Sequence, residues 1–92
     1  MRRIRFTTPA AIELAAILDY ISDRNPAGAQ NVQQRIQQVI EHVALWPNAG
    51  AASRNRPGMR RVHAVPYPYA INYRFSDDEI VIYDVWHTRR DR

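Results

Sequence analysis

The apolar residues of this 92-residue chain pass from helical spacing to a period of two near Gly58, and that change confines the fold. Upstream, Leu14, Ile17, Leu18 and Ile21 fall at i, i+3, i+4 and i+7, which lines one face of a helix running to about Arg24. Thr8-Pro9 starts it, with Thr7 or Thr8 as the cap and Pro9 in the first turn, where a missing N–H costs nothing. Ala29, Val32, Ile36, Val39, Ile40 and Val43 form a second stripe that ends near Trp46-Pro47. Asn25-Pro26 separates the two, because the residue before proline avoids the αR region and the Asn side chain caps the second helix. Two stripes joined by so short a break predict an antiparallel helical hairpin.

Downstream the period is two. Asn48 to Gly58 reads as a loop, and Met59–Val65, Tyr67–Phe75 and Glu79–His87 read as strands, with Ser76-Asp77-Asp78 as a tight turn. The N-terminal stretch Arg3 to Thr7 alternates in the same way and predicts a further short strand. Tyr67, Tyr69, Ile71, Tyr73 and Phe75 share one face of the middle strand and Ala70 lies on the other. In the last strand Ile80 and Ile82 oppose Val81, Tyr83 and Val85, so both faces are apolar and a central position is expected. The order β-α-α-β-β-β gives an α+β fold. A helical hairpin packs on a mainly antiparallel four-stranded sheet, in one domain spanning residues 1–92.

The charge is as uneven as the pattern. Thirteen arginines stand against nine acids, with no lysine and a net charge of +4. Arg54, Arg56, Arg60, Arg61 and Arg74 fall in a stretch with no acid, which therefore carries +5, and the remaining eight arginines and nine acids sum to −1. Clustered arginine interleaved with tyrosine suits a phosphate- or carboxylate-rich partner, since the guanidinium binds bidentately and stacks on flat rings. With no cysteine, a disulfide framework, a zinc ribbon and a thiol nucleophile are excluded. His42, His63 and His87 lie about twenty residues apart without carboxylates at ligand spacing, so no metal and no cofactor is expected. No apolar run approaches the ~18 residues of a membrane span, and Met1 to Phe6 lacks the core of a secretion signal, so a cytoplasmic protein is expected. Phosphate-loop, dinucleotide, serine-hydrolase and metalloprotease motifs are absent. Glu13, Asp19, Asp23 and Glu41 are expected to face solvent from the helices, with His42 on the polar side of the second.

One constellation remains. Arg60 and Arg61 open the first strand of the meander, while His87, Arg89 and Arg90 close the last. Adjacent strand residues point to opposite faces, so one arginine of the pair is expected to share the open face of the sheet with His87. Such a group suits docking on an acidic surface. It also suits salt pairing with Asp77, Asp78, Asp84 and Asp91, or metal-free RNA cleavage with histidine as acid or base and arginine steadying the phosphorane.

The chain resembles the RelE/ParE toxin superfamily of bacterial type II toxin-antitoxin modules, and the ParE branch in particular. The resemblance rests on Ala11-Ile-Glu-Leu14 with Ile17 and Tyr20-Ile21, on Asn25-Pro26-Ala27, and on Ile36 to Ile40. It continues through Leu45-Trp-Pro47 with Gly50, Gly58-Met-Arg-Arg61, Tyr67 to Tyr73, and Ile80 to His87 followed by Arg89-Arg90. It implies the same β-α-α-β-β-β fold and a toxin that inhibits DNA gyrase. A cognate antitoxin, its acidic C-terminal segment wrapping the toxin, is implied as the neutralising partner, with DNA contacted through the antitoxin. The surface offered to target or antitoxin is then Arg54, Arg56, Arg60, Arg61, Tyr69, Tyr73, Arg74, His87, Arg89 and Arg90. The alternative within the superfamily is a ribosome-dependent mRNA endonuclease, for which Arg60, Arg61 and His87 match. Against it stand the absent lysine, the lack of any acid between Glu41 and Asp77, and Thr88 following His87. Arginine, which keeps its proton throughout the working pH range, is a poor proton shuttle.

Overall fold

A computed structural model of the protein describes residues 1–90. Strand β1 (Arg3–Phe6) gives way at Thr7 to helix α1 (Thr8–Ser22), whose start is fixed by the Thr7 hydroxyl accepting the Ala10 amide at 3.2 Å. Asn25 repeats the device for α2 (Pro26–Leu45), its side-chain oxygen accepting the Gly28 amide at 3.0 Å. The predicted stripe of α2 is buried in full, together with Ala44. In α1 Ala10 alone is fully buried, while Leu14, Ile17, Leu18 and Ile21 pack against the core from its edge.

A 3-10 turn (Pro47–Ala49) leads into β2 (Ala51–Ala52), β3 (Arg60–His63), β4 (Tyr69–Phe75) and β5 (Glu79–His87). They form one sheet in the order β1-β5-β4-β3-β2, with β1 parallel to β5 and every other pair antiparallel. Two helices cover one face, as expected for the α+β class, and β5 takes its central place. The sheet has five strands where four were expected. The extra one, β2, pairs Ala51 with Arg61 and Ala52 with Arg60, and two residues are too few to show alternation.

Asn72 lies opposite Asp84, but Tyr73 lies opposite Ile82, so Tyr83 is an extra residue on β5. The bulge exchanges the faces of everything after it. Ile80 and Ile82 point to the helices before it and Val85 joins them after it, which corrects the expectation that Val85 opposes the isoleucines. Asp84 and Trp86 are thereby turned to the helix-free face.

Tyr73, fully buried, ties this sheet to the turn after α2: its hydroxyl donates to the Pro47 carbonyl at 2.6 Å and accepts the Gly50 amide at 3.0 Å. Burial pushes its phenol above the ordinary value of 10.0, opposed in part by the Gly50 amide and by Arg60, and burial raises Tyr69 as well. Both groups favour the neutral form when folded. Their contribution is full below pH 10 and is lost as pH rises through the raised values. Urea unfolding from about pH 8 to 11 is expected to show stability falling above about pH 10, with a shallower fall in Tyr73→Phe and the remainder due to Tyr69. An unchanged slope in that variant would remove Tyr73 from the account.

Candidate interaction surfaces

The helix-free face is roofed by arginine. Arg61 donates through Nε to Asn72 Oδ1 at 3.4 Å and sets its guanidinium 4.9 Å from the Trp86 ring centre. Asn72, 2% exposed, donates in turn to Asp84 Oδ2 at 3.0 Å, and the same oxygen accepts Arg56 Nη1 at 2.8 Å. Arg56 comes from the segment between β2 and β3, closed by the Ser53 amide on the Met59 carbonyl at 2.8 Å. Gly58 turns that segment at φ +80, a conformation that L side chains rarely adopt. Arg74 lies over Tyr83 at 5.8 Å. Ala70, Val81 and Trp86 are therefore buried on a face that no helix covers. Arginine suits this role: its stem shields apolar surface and its plane stacks on rings while still donating hydrogen bonds.

The other predicted residues are placed elsewhere. Arg60 points to the helix side and donates to the carbonyls of Gly50 at 2.6 Å and Asn48 at 3.4 Å, so it clamps the turn after α2. Tyr73 has no surface to offer a partner, because the core needs its ring and the turn needs its hydroxyl; that corrects its place on a docking surface. Arg54, Arg89 and Arg90 are exposed. Tyr69 is buried and meets His87 edge-on with ring centres 5.4 Å apart. The His87 Nδ1 accepts the Arg89 amide at 3.1 Å.

His87 and Arg61 do not share a face. His87 pairs with Tyr69 on the helix side, whereas Arg61 pairs with Asn72 on the side turned away, because the bulge rephases β5. Arg60 shares the face of His87 but pairs with Tyr73, four residues from Tyr69, a separation of about 13 Å along the strand. The histidine that does share Arg61's face is His63, exposed and two residues on in β3, a placement readable from alternation alone. Of the aspartates considered for salt pairing, Asp84 pairs with Arg56, and Asp91 lies outside the described residues. Asp19, Asp23 and His42 are exposed as expected, while Glu41 is half-buried. Glu13 is no solvent-facing acid: its Oε1 accepts the Val85 amide at 3.1 Å, on the side of β5 that β1 does not reach. Among the described residues no group of three or more histidines and carboxylates is placed to hold a metal ion.

A groove of 650 Å³ runs between α1 and the last residues of β5, with Ile12, Ala16 and Tyr20 along one wall and Tyr69, Val85 and His87 opposite. A family model described as the ParE toxin of the type II toxin-antitoxin system parDE matches residues 4–92. The chain belongs to the ParE toxin family. The toxin RelE2 of Caulobacter vibrioides is 30% identical over 90 residues, covering 98% of this chain and 99% of its own. The putative toxin Y4kP of Sinorhizobium fredii is 33% identical over 89 residues, covering 97% and 91%. Among solved structures, a chain of the chromosomal ParDE toxin-antitoxin system of P. aeruginosa superposes with a TM-score of 0.78 at 27% identity, covering 95% of this ParE-family chain and 96% of that one. YafQ of E. coli shares the fold alone, with a TM-score of 0.51 at 13% identity over 97% and 96%.

Proposed function

We propose that this ParE-family toxin acts in the cytoplasm by binding a protein target, DNA gyrase, and is neutralised by a cognate antitoxin. The observation that carries the reading is the division of the basic groups. Arg56, Arg60, Arg61 and Arg74 are engaged by the chain's own carboxylate, carbonyls and rings, and His87 lies across the sheet from Arg61. A surface of held, stacked guanidiniums suits docking on an acidic protein face, whereas metal-free RNA cleavage needs a proton-transfer group beside the cation. Likeness to the P. aeruginosa ParDE chain along nearly the whole sequence supports the same branch.

The second reading, a ribosome-dependent mRNA endonuclease, keeps one observation in its favour: His63 stands two residues from Arg61 on the same face. One pair of assays separates them. Purified toxin at micromolar concentration is expected to abolish supercoiling by gyrase and to leave ribosome-bound message intact. Unimpaired supercoiling, with message cut by the wild type and spared by His63→Ala or His87→Ala, would establish the nuclease instead.

A further inference from the structure

Every aromatic ring of this chain but one is taken up by arginine, by histidine or by the core. Trp86, Tyr83, Phe75 and Tyr20 each face a guanidinium, Tyr69 meets His87 edge-on, and three others pack into or against the core. Trp46 is the exception. It is 64% exposed at the end of α2, and among the described residues its indole makes no hydrogen bond and meets no ring or cation. Its backbone, by contrast, is held. The Trp46 amide donates to the His42 carbonyl at 2.9 Å, its own carbonyl accepts the Ala49 amide at 2.9 Å, and the next carbonyl, that of Pro47, accepts the Tyr73 hydroxyl at 2.6 Å. A ring carried on a fixed backbone loses little freedom when a partner binds it.

The ring does not stand alone. Leu45 beside it is 53% exposed, and Ala49, Ala51 and Ala52 are exposed beyond the turn. No charged side chain interrupts the chain from Val43 to Ser53. Ala51 and Ala52 are β2, the outer strand of the sheet, at the edge opposite β1. The Ser53 amide bonds inward to the Met59 carbonyl, so by alternation the Ala52 amide and carbonyl point outward from the edge. Exposed apolar residues clustered in this way mark a protein contact.

The border of the patch is basic. Arg54 is exposed directly after it, and Arg60 holds the turn itself through the Gly50 carbonyl at 2.6 Å. No acid occurs between Glu41 and Asp77. A second copy of this chain would set these cations against one another, at a net charge of +4 on each copy, so the fitting partner is one with carboxylates around the contact. Shape narrows the choice further. A projecting ring needs a pocket already present in what it meets, which a folded protein has; a segment that orders only on binding has none and supplies projecting side chains instead.

We infer that Trp46, with Leu45 and the β2 edge around it, is the anchor by which the toxin enters an apolar, acid-rimmed pocket on its folded target. The inference rests on the proposal that this target is gyrase, and purified gyrase is the probe. The half-inhibitory concentration in supercoiling and the calorimetric affinity for the antitoxin are measured for wild type, Trp46→Ala, Trp46→Phe, Ala52→Glu and Arg54→Ala, each first shown to melt like the wild type. Trp46→Ala is expected to raise the half-inhibitory concentration about 30-fold, as for an aromatic anchor, and Trp46→Phe to recover most of that loss. Ala52→Glu is expected to raise it about 10-fold by setting an acid against an acidic rim, and Arg54→Ala about 3-fold with a flatter dependence on salt. Antitoxin affinity is expected to stay within about twofold throughout, as for surface changes away from a contact. Wild-type inhibition by both Trp46→Ala and Ala52→Glu would overturn the anchor and leave the gyrase reading standing, whereas no inhibition by the wild type would remove both. Antitoxin affinity lost in parallel in Trp46→Ala, or a toxin dimer that Trp46→Ala converts to monomer, would overturn the assignment of this ring to the target.

Discussion

Gly50→Ala is expected to destabilise the protein by about 3 kcal/mol, the sum of an overpacked contact and hydrogen bonds withdrawn from a buried hydroxyl. For a domain of this size that is a fall in Tm of roughly 12–24 °C. Backbone conformation is not the cause, since Gly50 at φ −76 and ψ 152 is ordinary extended chain. Space is the cause. A Cβ would stand 2.5 Å from Tyr73 Oη, 2.8 Å from Cε1 of the same ring and 2.9 Å from the Arg61 carbonyl. Neither the ring, locked in the core, nor the strand backbone can give way, so the turn must withdraw. It then loses the Gly50 amide from Tyr73 and the Gly50 carbonyl from Arg60. Tyr73→Phe in the same background removes the nearest clash, so the double variant is expected to fall short of the summed single losses by about 1 kcal/mol or more. Losses that add within ~0.5 kcal/mol in chemical denaturation would rule out the steric account.

Helix α2 was legible because its polar and apolar residues are cleanly sorted, and Thr7 and Asn25 announced both helix starts by the chemistry of their side chains. The bulge was not. Both faces of β5 are apolar, so Val81 to Trp86 reads equally well in either phase, and only pairing with β4 shows where the phase slips. From that slip came the misplacement of His87 on the open face of the sheet. Glu13 was misread for a related reason: an acid on a helix faces solvent by default, and its use here depends on β1 stopping short of Val85. The sheet's second buried face was hidden more deeply. Its cover is arginine, which composition marks as surface, yet in this fold the same residues close a layer over Trp86 and Asn72. The +5 stretch thus divides into Arg60 holding a turn, Arg56, Arg61 and Arg74 roofing the sheet, and Arg54 exposed.

Asp84→Ala tests that layer and is expected to cost about 2–3 kcal/mol, most of it from stranding a buried amide. Asp84 Oδ2 serves two donors of different standing. Asn72 is 2% exposed and has no water to turn to, whereas the Arg56 side chain is 46% exposed and rehydrates when released. An exposed ion pair contributes at most about 1 kcal/mol, so Arg56→Ala alone is expected to fall within that bound. The two double-mutant cycles then separate: coupling of Asp84 with Asn72 is expected to exceed that with Arg56 by about 1 kcal/mol or more. Asp84→Asn sharpens the distinction, because its amide oxygen still accepts from Asn72 while the charge opposite Arg56 is gone. It is expected to recover more than half of the Asp84→Ala loss. Equal losses in Asp84→Asn and Asp84→Ala would mean that charge opposite Arg56, and not satisfaction of Asn72, holds the segment before β3 over the sheet.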